Sequence, residues 1–201
     1  GTVTRKAVRD QLRTTGNVTM DESRLAYVQT RLSGWIRKAF VTSTFQHVQE
    51  GQPLFTMFSP EVVATEREYL LALQNQQRLQ DSTVPGVIAG AETMPAAALE
   101  RLRQWGVPAA EVGRLQTTAQ VSEELEIGSP VSGTVIEREA LANKFVEPNM
   151  RLYTVADLSS VWVVAQVFQS DLGRIRTGDA ATITVDAYAG RTFSGRVDFI
   201  Y

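Results

Sequence analysis

Cysteine is absent from this chain, histidine occurs once, as His47, and lysine only three times, as Lys6, Lys38 and Lys144. Each scarcity narrows the chemistry. Without cysteine there is no thiol nucleophile and no thiolate metal site, and an oxidising compartment becomes slightly more plausible than a reducing one. A single histidine argues against a His-based catalytic triad and against a multi-His metal site within one chain. It is expected to be an ordinary surface residue. No stretch reaches the ~20 apolar residues that a membrane-spanning helix needs. Net charge is −2 and the pI about 5.6, so nothing global favours nucleic acid as a partner. The glycines form no Gly-x-Gly-x-x-Gly cradle for phosphate. Met20, Met57, Met94 and Met150 are scattered over four segments, too dispersed in sequence for soft-metal capture. The acidic run Glu123-Glu124-Leu125-Glu126 reads as solvated chain. No catalytic residue, cofactor-binding residue or metal ligand is assigned. The chain opens on Gly1-Thr2-Val3-Thr4 with no secretory signal. It closes on the apolar Val197–Tyr201, past which the natural protein is expected to continue.

What is present is one short pattern used twice. Ser33-Gly34-Trp35-Ile36 followed by Val48-Gln49-Glu50-Gly51-Gln52-Pro53-Leu54 is matched by Ser132-Gly133-Thr134-Val135 followed by Val146-Glu147-Pro148-Asn149-Met150-Arg151-Leu152. Two β-rich halves of this kind predict one small sandwich built from both copies, with residues 59–127 leaving it and returning as a projection. In Trp35–Val41 apolar residues occupy both parities, which predicts a strand covered on both faces. Glu50–Pro53 reads as a tight turn, with Gly51 free to take a positive φ.

At Ser59-Pro60-Glu61 the period changes. Serine as N-cap, proline in the first turn and an acid behind it predict a helix over roughly 61–80, about 30 Å long. Val62, Glu66, Tyr69, Leu70, Leu73 and Gln77 follow its spacing. Residues 82–95 read as a loop. A shorter helix over Ala98–Trp105 is stopped by Gly106, and a third restarts at Pro108 with Val112 and Leu115 inward. The insert is thus a helical hairpin with a broken returning arm. Residues 2–20 are expected to hold one or two strands around a turn at Thr15-Gly16-Asn17. Strands are also expected at 161–168, 181–185 and 192–201, with turns at Arg176–Asp179 and Ala189-Gly190. A small antiparallel barrel using both chain ends would remove exposed edges.

Biotinyl and lipoyl carrier domains share the doubled half-motif and carry a modified lysine where the halves join. Residues 59–127 contain no lysine, so a covalently attached arm has no amine at that position.

Several stretches resemble a known family. They are Arg101-Leu102-Arg103-Gln104-Trp105-Gly106-Val107-Pro108, Ser129-Pro130-Val131-Ser132-Gly133-Thr134-Val135, Leu152–Val163 and Gly195–Tyr201. The chain resembles the periplasmic adaptor subunits, or membrane fusion proteins, of tripartite efflux systems in Gram-negative bacteria. The likeness is to the heavy-metal branch, the copper/silver and zinc/cobalt types. The resemblance implies a mostly β fold with a helical insert: a split lipoyl-like sandwich (27–58 with 127–156), an α-helical hairpin (59–126) and a partial antiparallel β-barrel (1–26 with 157–201). It implies a non-enzymatic adaptor in the periplasm, associated with the inner membrane. Its implied partners are an inner-membrane transporter of the resistance-nodulation-division (RND) class, an outer-membrane channel and further copies of itself, commonly six. Arg78, Asp81 and Ser82, near the hairpin tip, are candidate partner-binding residues. An adaptor of an ATP-driven exporter, or less favourably a carrier domain, would share this architecture.

Overall fold

The computed structural model describes residues 11–79 and 85–201, with the backbone alone at 85–92. The chain divides into two compact units, one made of residues 1–19 with 161–201 and the other of residues 20–160.

The larger unit is the sandwich with its insert. Its strands are β2 (Leu25–Gln29), β3 (Gly34–Ala39), β4 (His47–Val48), β5 (Pro53–Phe58), β6 (Leu125–Gly128), β7 (Gly133–Arg138), β8 (Phe145–Val146) and β9 (Arg151–Ala156). They form two four-stranded sheets, ordered β2-β9-β7-β4 and β6-β5-β3-β8. Each sheet therefore takes both of its edge strands from the other half of the chain. The halves are interleaved rather than stacked.

The repeat seen in the sequence is repeated bond for bond. The Phe45 N–H donates to the Val135 carbonyl at 2.7 Å, and the Asn143 N–H to the Ile36 carbonyl at 2.8 Å. The Ile36 N–H donates to the Lys144 carbonyl at 2.9 Å, and the Val135 N–H to that of Gln46 at 3.0 Å. Phe40 and Val41 share the Leu54 carbonyl at 2.8 and 3.3 Å, and Glu139 and Ala140 share that of Leu152 at the same two distances. Phe45 and Asn143 both have positive φ, 64° and 65°, as do Gly51 and Asn149, 77° and 68°. At the centre of the core lie matched inward positions: Ile36 and Val135, Val48 and Val146, Leu54 and Leu152, Phe55 and Tyr153, all fully buried. Full burial of one such side chain contributes about 1.5–3 kcal/mol.

Trp35–Val41 departs from expectation. One face of β3 is open, with Trp35 exposed, while Ile36 and Val41 are buried despite opposite parity. A β-bulge between Ile36 and Lys38 exchanges the inward parity partway along the strand.

The insert begins where expected. Helix α1 spans Pro60–Leu79, about 30 Å. The Ser59 hydroxyl is nevertheless buried without a hydrogen-bond partner, so Pro60 and the packing of Val62 and Tyr69, rather than a side-chain cap, fix the start. Helix α2 spans Pro85–Gln104 and takes in most of the stretch expected to be a loop. Pro85 occupies the first helical position, where its missing N–H is not needed. Pro95 is carried inside the helix because alanine-rich turns surround it and α2 packs along α1. The arm does break, at Gly106 (φ 79°), where Gly106 and Val107 donate back to Arg103 and Leu102. Helix α3 (Ala109–Thr118) then buries Val112 and Leu115.

The smaller unit has β1 (Gly16–Met20) paired with β10 (Val161–Ala165), and β11 (Ala180–Thr184) antiparallel to β12 (Thr192–Arg196). Gly16 and Asn17 open a strand rather than forming a turn. β12 ends at Arg196, short of the run expected to Tyr201, and β10 ends at Ala165. The turns at Gly178 (φ 96°) and Gly190 (φ 80°) stand where expected. None of its described residues is buried, and the sheets form part of a barrel, not a closed one.

Candidate functional site: the outer sheet faces and the hairpin root

The outward face of the β6-β5-β3-β8 sheet is aromatic and cationic. The bulge in β3 and the pairing of Trp35 with Phe145 on β8 bring three rings together. Trp35 and Phe145 lie 4.8 Å apart between centroids, Phe58 lies 6.4 Å from Trp35, and the Arg37 guanidinium sits 5.0 Å over the Phe58 ring. Trp35, Arg37, Phe58 and Asn143 line a shallow concavity of about 280 Å³. Lys38 stands beside it with its ammonium 4.9 Å over the exposed Phe40. Trp35 and Phe145 are each 43% exposed.

The related face of the other sheet is polar. Thr134 and His47 occupy the positions matching Trp35 and Phe145 and are paired in the same way. Glu137 stands where Lys38 stands, accepts from the Thr154 hydroxyl at 2.7 Å, and lies 3.7 Å from Arg151. Arg151 in turn covers the Tyr27 ring at 3.9 Å.

The hairpin root is the second notable place. α1 follows β5 after one residue, Ser59, whereas α3 returns to β6 through residues 119–124. That return is tied down. The Arg114 guanidinium donates to the Gln120 carbonyl at 3.1 Å while paired with Glu111, and the Ser122 N–H donates to the Glu66 carboxylate at 2.9 Å. Glu66 is 1% exposed. Burial pushes its carboxyl above the ordinary value near 4.5, with the nearby Glu111 charge adding to the rise; the Ser122 N–H and the Arg114 charge oppose it. At the opposite junction Arg24 meets Asp157 at 2.7 Å and also reaches Ser159. The Ser159 N–H, more than Arg24, holds the Asp157 carboxyl below its usual range.

Of the residues singled out at the tip, Arg78 is exposed in the last turn of α1, whereas Asp81 and Ser82 lie outside the described residues. His47 is exposed on β4. Met57 is in the core, Met20 and Met94 are exposed, and the Met150 sulfur accepts from the Glu147 N–H. Among the described residues no three His, Cys, Asp or Glu side chains are placed to hold a metal ion. Also among them, no helix is long and apolar enough to cross a membrane. Lys144 is bound to Glu139. The aromatic face and the Glu66 tie were not found from sequence. The available signals were a tryptophan and a phenylalanine at related outward positions, and an acid within the apolar stripe of α1.

Family models match the chain in two places. Residues 25–156 match the barrel-sandwich hybrid domain of CusB, and residues 160–201 match the CusB-like beta-barrel domain. Cation efflux system protein CusB of Escherichia coli (strain K12) is 27% identical over 180 residues, covering 90% of this chain and 41% of the relative. The chain thus spans about two fifths of the length of the curated relatives it matches. Cobalt-zinc-cadmium resistance protein CzcB of Cupriavidus metallidurans is 24% identical, covering 84% of this chain and 34% of its own. Among solved structures, ZneB from Cupriavidus metallidurans superposes with a TM-score of 0.58 at 28% identity, over 92% of this chain and 82% of that one.

Proposed function

Because the chain belongs to the CusB-like family of membrane fusion adaptors, we propose that it serves as a non-enzymatic periplasmic adaptor, linking an inner-membrane RND pump to an outer-membrane channel for heavy-metal cation export. The observation that carries this reading is the split sandwich with a 20-residue helix rising directly from β5 and a broken arm returning to β6. A body with a helical projection rising directly from one of its strands is suited to holding two partners apart. The hairpin (59–126) reaches for the channel, with Arg78, Asp81 and Ser82 as contact residues. The barrel part (1–26 with 157–201) faces the pump, and copies assemble around a common path, six being the expected number. CusB, CzcB and related cation-efflux and resistance proteins supply the cargo class.

The test is photo-cross-linking in cells through probes at Arg78 and Thr192. Capture of an outer-membrane channel at Arg78 and of an RND pump at Thr192 is expected. Capture of an ATP-driven exporter would change the system, and absence of any membrane partner at both positions would refute the adaptor role.

A further inference from the structure

We propose that the outer faces of the two sheets are the two sides of a head-to-tail contact between copies of this chain. The face of Trp35, Phe145, Arg37 and Lys38 would meet the face of Thr134, His47 and Glu137 on the next copy. This rests on the adaptor reading and names which surfaces meet.

Related inward positions have kept the same chemistry, Ile36 with Val135 and Leu54 with Leu152. Related outward positions have taken opposite chemistry. Trp35 is matched by Thr134, Phe145 by His47, Lys38 by Glu137 and Phe40 by Glu139. Packing inside one chain explains the first set and is silent on the second. Nothing within this unit needs an indole and a phenyl ring, each 43% exposed, in tilted contact on one face only. Exposed aromatic and arginine side chains gathered around a shallow concavity are the composition of interface anchors.

Charge selects the occupant. Arg37 and Lys38 have no acidic partner among the described residues. Like faces brought together would set these cations against their own copies, which is unfavourable. The other face offers Glu137 and Glu139, with side chains 60% and 67% exposed. Their existing partners, Arg151 at 3.7 Å and Lys144 at 3.1 Å, are surface pairs, and a carboxylate has lone pairs for a second cation. The outer faces of a sandwich point in opposite directions. Two unlike, complementary faces on opposite sides of one body make a heterologous contact, which propagates or closes into a ring. A four-stranded face measures roughly 20 Å by 20 Å, so one contact alone falls short of the ~1,000 Å² of a stable pair. It holds where partners keep copies at high local concentration.

The cysteine-free chain makes the test clean. In the protein in its own membrane, Lys38→Cys and Glu137→Cys are introduced singly and together and treated with a short bismaleimide. The double variant should give a ladder of dimers and larger species. Each single variant should stay monomeric, and co-expressed single variants should give dimers only. Adding Trp35→Ser to the double variant should abolish the ladder. Dimers from Lys38→Cys alone, adducts with a different protein only, or no product from co-expressed single variants would overturn the proposal. The Arg78 cross-link, read in the same membranes, separates the two claims. If it persists without a ladder, the face assignment alone fails; if both are lost, the adaptor reading fails with it.

Discussion

Tyr153 and Phe55 occupy related core positions, stacked 6.1 Å apart, yet only one carries a hydroxyl. The reason lies in two related carbonyls. That of Ala140 accepts the Arg138 guanidinium at 2.9 Å. That of Val41 accepts the Tyr153 hydroxyl at 2.9 Å, deep in the core. Tyr153→Phe keeps the ring and leaves the Val41 carbonyl without this partner. The Leu54 carbonyl, a second acceptor at 3.4 Å, keeps its bonds from Phe40 and Val41. The net loss should be about 1–2 kcal/mol, a lost buried hydrogen bond plus part of the desolvation cost of one carbonyl. With a urea slope of about 2 kcal/mol per M, the midpoint should fall by roughly 0.5–1 M at pH 7 with the slope unchanged. Near-ultraviolet circular dichroism through the transition would read it. The converse change, Phe55→Tyr, should gain less, because the related Ala140 carbonyl already accepts from Arg138. The pH profile gives a second check. Burial raises the Tyr153 hydroxyl to about 12, against 10 in the unfolded chain. Its contribution is therefore complete below pH 10 and is lost as pH climbs towards 12, while the other tyrosines are common to both proteins. The advantage of wild type over Tyr153→Phe should shrink across that window. An unchanged midpoint at pH 7, or a difference that persists undiminished near pH 12, would refute this account.

Further tests bear on the backbone and on the hairpin root. A Cβ at Gly34 would lie 2.2 Å from the Phe58 carbonyl oxygen, and one at Gly133 2.6 Å from that of Ala156. Either alanine variant should lose at least about 2 kcal/mol in thermal unfolding. Gly51→Ala, in open space at φ 77°, should lose only about 1 kcal/mol, and Gly51→Asn less still, since Asn149 holds the related position. Glu66→Gln keeps an acceptor for the Ser122 N–H without the buried charge. Because the folded carboxyl is raised, wild-type stability should fall as pH rises from about 4.5 through the folded value, and the variant should lack that fall. Matching pH profiles in urea unfolding would show that Glu66 is not the titrating group.

The doubled sandwich was legible because its inward residues recur in the same order and at nearly the same offset, and inward residues report packing directly. The start of α1 was legible for the same local reason, a proline beside a change of period. Residues 85–95 were not, because Pro85, Gly86, Gly90 and Pro95 punctuate the sequence like a loop although their backbone is helical within α2. Interleaving of the halves was hidden in His47–Val48 and Phe145–Val146, strands too short to show alternation. The bulge in β3 made one open face read as two covered ones. The outer faces were hardest to read, since an exposed tryptophan acquires meaning only once its structural counterpart is known.

The insert joins β5 to β6, which are antiparallel neighbours. Such strands end about 5 Å apart, whatever lies beyond them. The strand pairing therefore fixes the separation of two feet, and helical arms of different heights can stand on them. Adding or removing matched turns beyond the buried residues of the two arms would alter the reach by about 5 Å per turn and leave the β5–β6 pairing unaltered. The molecule is in this sense a gauge of adjustable length mounted on a fixed base, and its reach can change without the base being rebuilt.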